Sequence, residues 1–597
     1  MDRNTIIGFI LIGLVLMIWM MLNAPPPPHP ASATDSVAAF RHSEKPDTIN
    51  ATAARKETKT EPGDTLGKYF SHLAHGQEKT LVVETDLYRA EISTAGGSIR
   101  SWVLKGYKTW DQYPVNLVNL EKGGDFNLTF YSSDGKRINT RGLFFEANYA
   151  DGQVVKLTGS DSFKVGLSLK INEHSRIVKD LIFYGNLYSF DASYGFEGME
   201  NILSNFEYQV TWGYGLRYVE HNSVDESNFA KASAMAGGEI SELDATKFDE
   251  TFVDSNISGR VSWVATRNKY FALAMIPREK ESRGAYLEGK RVRLRDEGVK
   301  ENYSLELNMP YTAQPLETDR FTVFLGPLDF DVVKHYQVGI ESIMSLGAAW
   351  IIRPISQYVI IPLFKFLRYF IPNYGLVLIV FSLIIKLALY PLTKSSLKSM
   401  QRMQALQPMM NEIREKYKDD PQKMNQQVMR LYKEYGVNPA GGCLPLLLQL
   451  PILYALWAVF SSAIQLRQAS FVWWIKDLAV PDIVATLPFK IPIFNIDKIS
   501  GLALLMGITM FVQQKMSVKD PRQKMMVWMM PVLMTLMFNA FPSGLNLYYF
   551  VFNLLSILQQ AWVNKQHKNE PLRKVEPKKK SGGLISKLAK ELRDVKR

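Results

Sequence analysis

The sequence predicts a polytopic α-helical membrane protein of six spans with a large all-β sandwich domain on one side. Three observations predict it. Apolar runs recur after residue 345, several near the length of about 20 residues that crosses a hydrocarbon core of about 30 Å. The basic residues behind the net charge of +12 cluster beside those runs. Between about 78 and 335, apolar and polar residues alternate with the period of half-buried strands. A basic chain could also bind nucleic acid, but charge placed beside apolar spans favours a membrane surface, and nothing points to DNA. The 597 residues include one cysteine, Cys443, which excludes an intrachain disulfide framework and a cysteine-rich metal site. No metal or other cofactor is expected.

Residues 1–23 hold an apolar run, Ile6–Leu22, longer than a typical signal core and followed by no clear small-residue cleavage site. An uncleaved anchor is favoured over a signal peptide. Residues 24–77 open with four prolines and continue rich in Ala, Ser, Thr, Lys and Glu, a composition that buries no core and predicts a disordered linker. In residues 78–340, Phe163, Val165, Leu167, Leu169 and Ile171 share one strand face, as do Tyr303, Leu305, Leu307 and Met309, and Phe321, Val323 and Leu325. Many such strands with Asp-Gly turns indicate a β-sandwich. It carries no nucleophile motif, metal spacing or phosphate loop, so a spacer or docking role is favoured over a carbohydrate-active one.

Residues 341–372 are apolar but interrupted by Arg353, Pro354, Pro362, Lys365 and Arg368, which suits an interfacial helix. The span 373–392 follows and carries one charge, Lys386. A cation at the centre of a span costs about 2.5–3.5 kcal/mol. On this helix alone, snorkelling to the interface and lining a wet cavity are equally good readings. Residues 393–438 form a basic helical hairpin with Met403, Met410 and other apolar residues on a helical stripe, broken at Asp419-Asp420-Pro421. By its charge the hairpin is cytoplasmic. Its stripe reads first as hairpin packing. Met403, Met410, Arg414, Lys416 and Lys418 are the positions expected to meet partners.

Residues 439–464 give a bent span containing Pro445 and Pro451, and 465–498 an outer loop with Trp473-Trp474 at interface depth. Residues 499–514 form a short span and 515–524 a basic cytoplasmic turn. Residues 525–541 and 544–563 form two more spans, and 564–597 a basic cytoplasmic tail. Both termini then lie inside and the β-domain outside.

The last span carries Asn546, Tyr549, Asn553, Ser556 and Gln560 at spacings of 3 and 4, hence on one face. Ser382, Lys386 and Tyr390 share a face of the 373–392 span, and Gln449 adds a polar group to the next. Interhelical hydrogen bonds could use a few of these residues. A full stripe opposite an unpaired lysine is better explained by a water-accessible groove, which moves the balance away from snorkelling. A secondary transporter would need coupling carboxylates and internal repeats, and neither is evident.

At these residues the chain resembles the YidC membrane protein insertase family. The matching stretches are LYPLTK at 389–394, NPAGGCLPLLLQLPI at 438–452 and FPSGLNLYY at 541–549, with the hairpin between the first two. The large outer domain resembles the Gram-negative form. The resemblance implies a non-enzymatic insertase or, as the alternative, a membrane chaperone, in the bacterial inner membrane with a periplasmic β-domain. It implies a five-helix core around a hydrophilic groove and a β-supersandwich of the galactose-mutarotase type outside it. The family's groove cation, usually arginine, falls on Lys386, which keeps the charge without the bidentate fork. Ser382, Gln449 and Tyr549 fall at groove or substrate-contact positions. The implied partners are nascent membrane proteins, the ribosome and a targeting factor, the secretion translocon and membrane lipids.

Overall fold

The computed structural model describes residues 66–119, 123–348, 350–437, 444–491, 496–518, 524–566 and 574. The expected anchor 1–23, most of the linker 24–77, Cys443 with its neighbouring glycines, and nearly all of the basic tail lie outside the described residues. The chain divides into two units, Met1–Met344 and Ser345–Arg597.

In the first unit the alternating segments form three sheets of nine, six and five strands among the described residues. The nine-stranded sheet is centred on Phe271–Pro277 and Leu316–Pro327, and the six-stranded sheet on Val299–Pro310 and Leu203–Trp212. Among the described strands, pairing is antiparallel except where Thr80–Glu84 meets Gln153–Lys156 in parallel. Val165, Leu167, Leu169 and Ile171 are buried as their alternation requires, as are Tyr303, Leu305, Leu307 and Met309. The sheets close on each other through aromatic residues. Phe196 of the nine-stranded sheet lies 4.7 Å from Tyr208 of the six-stranded one. Trp102 of the five-stranded sheet stacks on Tyr88 at 3.8 Å and faces Phe190 at 5.8 Å. This is the β-sandwich expected from the sequence. The domain begins earlier than expected, however. Gly67–Phe70 is helical and Phe70 is fully buried 5.5 Å from Phe130, so residues 66–77 belong to the folded unit. A single well-placed aromatic anchors what composition reads as tether.

One inward position of the strand Arg176–Tyr184 is a lysine. Lys179 is 1% exposed and donates to the carbonyls of Gly97 at 2.7 Å and Phe126 at 2.6 Å. Burial pushes its ammonium down to about 7. Burial likewise pushes the Asp125 carboxyl up to about 6, although the amides of Gly213 and Tyr214 donate to it. A lysine that prefers to be neutral when folded binds fewer protons than in the unfolded chain. Between about pH 7 and the ordinary lysine value of 10.5, its contribution to stability therefore rises with pH. Lys179→Met is expected to remove that rise, measured as thermal unfolding of the full chain in detergent at pH 7 and pH 9. An unchanged pH slope would contradict the assignment.

In the second unit, a short α-helix Ile352–Ile355 and a π-helical segment Ser356–Ile360 lead into α1 (Ile361–Phe370), with Tyr358, Phe366, Tyr369 and Phe370 exposed. Asn373 caps α2 (Tyr374–Ala388) by accepting from the Leu376 amide at 3.1 Å. The chain then bends by 67° around Pro391 into α3 (Tyr390–Ala405). The hairpin continues as α4 (Gln407–Lys416) and α5 (Pro421–Glu434), with Asp420 capping α5 and Gly436 at φ 62° ending it. There follow α6 (Leu444–Ser462), α7 (Gly501–Ser517), α8 (Lys524–Phe538) and α9 (Ser543–Gln566). Residues 465–498, expected as plain loop, contain a two-stranded hairpin, Ile483–Ile491 with Ile496–Ser500.

Among the described residues no single helix is long and apolar enough to cross a membrane. The bent pair Tyr374–Ala388 and Thr393–Ala405 passes that test together, and Gln449–Ser462 and Val527–Phe538 are shorter apolar helices. The polarity of the helices is nevertheless inverted relative to a water-soluble bundle. Exposed stripes are apolar: Leu376, Leu383 and Leu387 on α2, Leu504, Ile508 and Val512 on α7, and Leu554, Leu558 and Trp562 on α9. Ser382, Lys386, Thr509, Asn546, Asn553, Ser556 and Gln560 of the same helices are buried, while Lys515 and Lys565 are exposed near the helix ends. Water would penalise those stripes, whereas hydrocarbon would not.

Candidate functional site

The inward polar residues form a seam between α9 and its neighbours α2 and α7. Lys386, in the last turn of α2, is 9% exposed and donates from Nζ to Ser556 Oγ at 2.6 Å. The Ser556 hydroxyl in turn donates to the Phe552 carbonyl at 2.8 Å. The ammonium lies 4.5 Å from the centre of the Phe552 ring, a favourable cation–π position. Among the described residues, no carboxylate lies within ion-pair distance of Lys386. The charge therefore sits inside the bundle held by a hydroxyl and a ring, and three ammonium N–H donors are not fully used.

Above Lys386 on α9, successive turns carry unsatisfied polar atoms. Asn553 Nδ2, the Tyr549 hydroxyl and Asn546 Oδ1 are buried without a partner. Tyr549 is held edge-on by Phe538 at 5.1 Å, so the ring is fixed and only its hydroxyl is unmet. A buried polar atom without a hydrogen bond costs about 1–3 kcal/mol, so three on one stripe call for water or a polar visitor. Ser382 is fully buried but donates to the Leu378 carbonyl of its own helix at 2.7 Å. Gln449 is half-buried on α6, which packs against α9 and α3.

The two ends of the seam differ. At the hairpin end, α3 is tied to the ends of α7 and α9. Gln404 Nε2 donates to the Ser517 carbonyl at 2.5 Å, Gln401 Nε2 to Asn564 Oδ1 at 2.7 Å, and Gln559 Nε2 to Thr393 Oγ1 at 3.0 Å. At the loop end, residues 471–482 lap over three helix starts. A Cβ at Gly375 would collide with the Phe471 ring, and one at Gly544 would lie 3.0 Å from the Leu478 carbonyl. Both glycines permit that close approach.

In the hairpin, Met410 is 2% exposed in a cluster with Leu406, Leu431 and Val437, and Met403 packs against it. Met410 is thus committed to hairpin packing and is not an open contact, because the chain reversal at Asp420 brings α5 over it. Lys416 and Lys418 are exposed and Arg414 half-buried. The sequence reading overlooked Gln401, Gln404, Ser517 and Asn564. Each is an ordinary polar residue whose partner lies over 100 positions away. Among the described residues, no group of three or more His, Cys, Asp or Glu is placed to hold a metal ion.

Apolar stripes outside, a polar seam inside and a β-rich domain preceding them define an integral membrane protein with an interior polar site. Comparison with known proteins assigns it further. Residues 80–358 match the YidC periplasmic domain and residues 366–570 the 60Kd inner membrane protein family. The chain is 39% identical over 577 residues to a membrane protein insertase YidC of Chloroherpeton thalassium, covering 96% of this chain and 97% of that one. It is 39% identical over 569 residues to a namesake from Chlorobaculum parvum, covering 94% of each. A crystal structure of an active YidC insertase with its first transmembrane domain aligns at 19% identity and a TM-score of 0.35, over 84% of this chain and 96% of that one. The chain belongs to the YidC membrane protein insertase family, and the reading of it as an insertase of membrane proteins stands.

Proposed function

We propose that the seam is a hydrophilic groove, entered from the cytoplasm and from lipid, through which nascent inner-membrane proteins are integrated. The observation that carries this reading is Lys386, buried with no carboxylate at ion-pair distance among the described residues and facing a stripe with three unmet polar atoms. The work of the groove is physical and forms no covalent bond. A short polar tail enters it with an apolar segment behind. Groove water and the polar groups of Ser382, Gln449, Asn546, Tyr549, Asn553 and Ser556 replace bulk hydration part-way across. That lowers the penalty for carrying a charged residue towards the bilayer centre, about 2.5–3.5 kcal/mol each. Lys386 attracts acidic residues in the tail. The apolar segment then leaves sideways into lipid, and its burial drives the step.

In this reading the chain crosses the bacterial inner membrane six times, with both termini cytoplasmic and the β-domain periplasmic. The spans are the N-terminal anchor, α2, α6, α7, α8 and α9, and α1 lies on the membrane surface. The exposed lysines Lys416 and Lys418 and the basic tail recruit polyanions: ribosomal RNA, a targeting factor's complex, or lipid head groups. Cooperation with the secretion translocon belongs to the same proposal. The second reading, a chaperone that shelters helices without inserting them, draws on the same unmet polar atoms.

Cysteine labelling tests the groove. In a Cys443→Ser background, Asn553→Cys is expected to react with a membrane-impermeant maleimide added on the hairpin side. Failure to label there would contradict a water-filled groove.

A further inference from the structure

The loop end of the seam holds a second buried polar cluster, separate from Lys386. Asp482 is 6% exposed. Its Oδ1 accepts from Ser500 Oγ at 2.5 Å, and its Oδ2 from the Leu502 amide at 2.8 Å and from Trp474 Nε1 at 2.9 Å. Its carbonyl accepts from the Gly501 amide at 3.0 Å. Ser500 extends the cluster: its amide donates to Asn539 Oδ1 at 2.9 Å, and its hydroxyl accepts from the Ala503 amide at 3.2 Å and from Asn546 Nδ2 at 3.4 Å. Asn539 Nδ2 donates to the Lys498 carbonyl at 2.7 Å. On the same loop, the carbonyls of Asp477, Leu478 and Val480 accept from Ser543 Oγ, the Gly544 amide and the Ser543 amide.

One carboxylate thus joins the loop to the start of α7, and through Ser500 to the residue after α8 and to the second turn of α9. Asn546, the uppermost residue of the polar stripe, is tied into this cluster at the closed end of the seam. A carboxylate at a helix start also meets the positive end of the helix dipole, which stabilises the arrangement further.

We propose that Asp482 is the positioning residue that holds the loop end of the seam shut, making the polar stripe a blind groove instead of a pore. The proposal rests on the groove reading above. Removing the carboxylate leaves the Leu502 N–H, the Trp474 N–H and the Ser500 O–H without their acceptor. Water then enters from the loop side to satisfy them.

The test uses the full chain in native membrane vesicles of both orientations, with Asn553→Cys in the Cys443→Ser background and an impermeant maleimide. With Asp482 present, label is expected from the hairpin side only. With Asp482→Ala, labelling from the loop side is expected to rise about tenfold, the population shift that losing a buried charged acceptor produces. Hairpin-side labelling should stay unchanged. Asp482→Asn is expected to fall between, since it keeps an acceptor for Leu502 or Trp474. General loosening of the bundle would raise labelling from both sides, and that result would overturn the proposal. So would Asp482→Ala protein at normal levels that stays closed to the loop side. If Asp482→Ala does not accumulate, Asn539→Ala loosens the same cluster from the residue after α8, and the same two outcomes decide. Absence of hairpin-side label with Asp482 intact would count against the groove, and the loop-side comparison judges the closure separately.

Discussion

Lys386→Glu is expected to slow insertion of clients with acidic tails about thirtyfold, and to slow clients with basic tails little or speed them. Two unit charges about 4 Å apart interact by about 4 kcal/mol at an effective dielectric of about 20. Tail mobility and groove water reduce this, and a swing of about 2 kcal/mol between attraction and repulsion corresponds to about thirtyfold in rate. Ser556 Oγ, now the acceptor from Lys386 Nζ, can donate to a carboxylate instead by turning its O–H away from the Phe552 carbonyl. Lys386→Arg should retain insertion of both classes, and Lys386→Met should fall between. The readout is the protease-protected fraction of matched client proteins that differ only in tail charge. Equal loss for acidic and basic tails would show that the lysine supports the fold and does not select the tail.

The second large effect belongs to the stripe itself. Replacing Asn546, Asn553 and Ser556 together by leucine removes two of the three unmet polar atoms, the hydroxyl that receives Lys386, and the link from Asn546 to Ser500. The proposed groove would then become hydrocarbon-like, and each charged tail residue would again meet a penalty of about 2.5–3.5 kcal/mol. Loss of half of that per tail is already about tenfold in rate. Clients with uncharged tails should lose much less. Asn546→Leu also reaches the loop-end cluster, so the double variant Asn553→Leu with Ser556→Leu isolates hydration from closure. It should retain most of the effect.

The seam was legible in the sequence where periodicity is local. Spacings of 3 and 4 put Asn546, Tyr549, Asn553, Ser556 and Gln560 on one face of α9, and all five are buried there. The isolated charge at Lys386 was equally plain. Its bond to Ser556 was not, since 170 positions separate the two residues and only the packing of α2 on α9 brings them together. Asp482 is not marked by the sequence, because a carboxylate in a loop reads as solvated, while this one is bonded to Ser500 and the start of α7 and to Trp474 of its own loop. The hairpin at 483–500 was missed for a related reason. Its apolar residues, Ile483, Val484 and Phe489, are exposed, so no alternation of buried and exposed positions marks the strand. In the β-domain the strands followed from alternation. The order of nine strands in one sheet did not, because it depends on pairings such as Ser189 with Phe324. Lys179 shows the limit of binary patterning. It occupies an inward position between Ile177 and Leu181, where the carbonyls of Gly97 and Phe126 and the rings of Phe126 and Tyr194 make a lysine tolerable.

In the groove proposal this chain can insert small proteins alone as well as with the secretion translocon. The most direct measurement is the insertion rate of a small single-span protein with an acidic tail into liposomes containing only the purified chain. It is read against empty liposomes and against the Asn546, Asn553 and Ser556 leucine variant. Insertion at least about tenfold above empty liposomes is expected, with most of that gain lost in the variant. Insertion no better than empty liposomes, or insertion that the apolar variant supports equally well, would contradict it. The seam would then be a surface that holds helices for another channel.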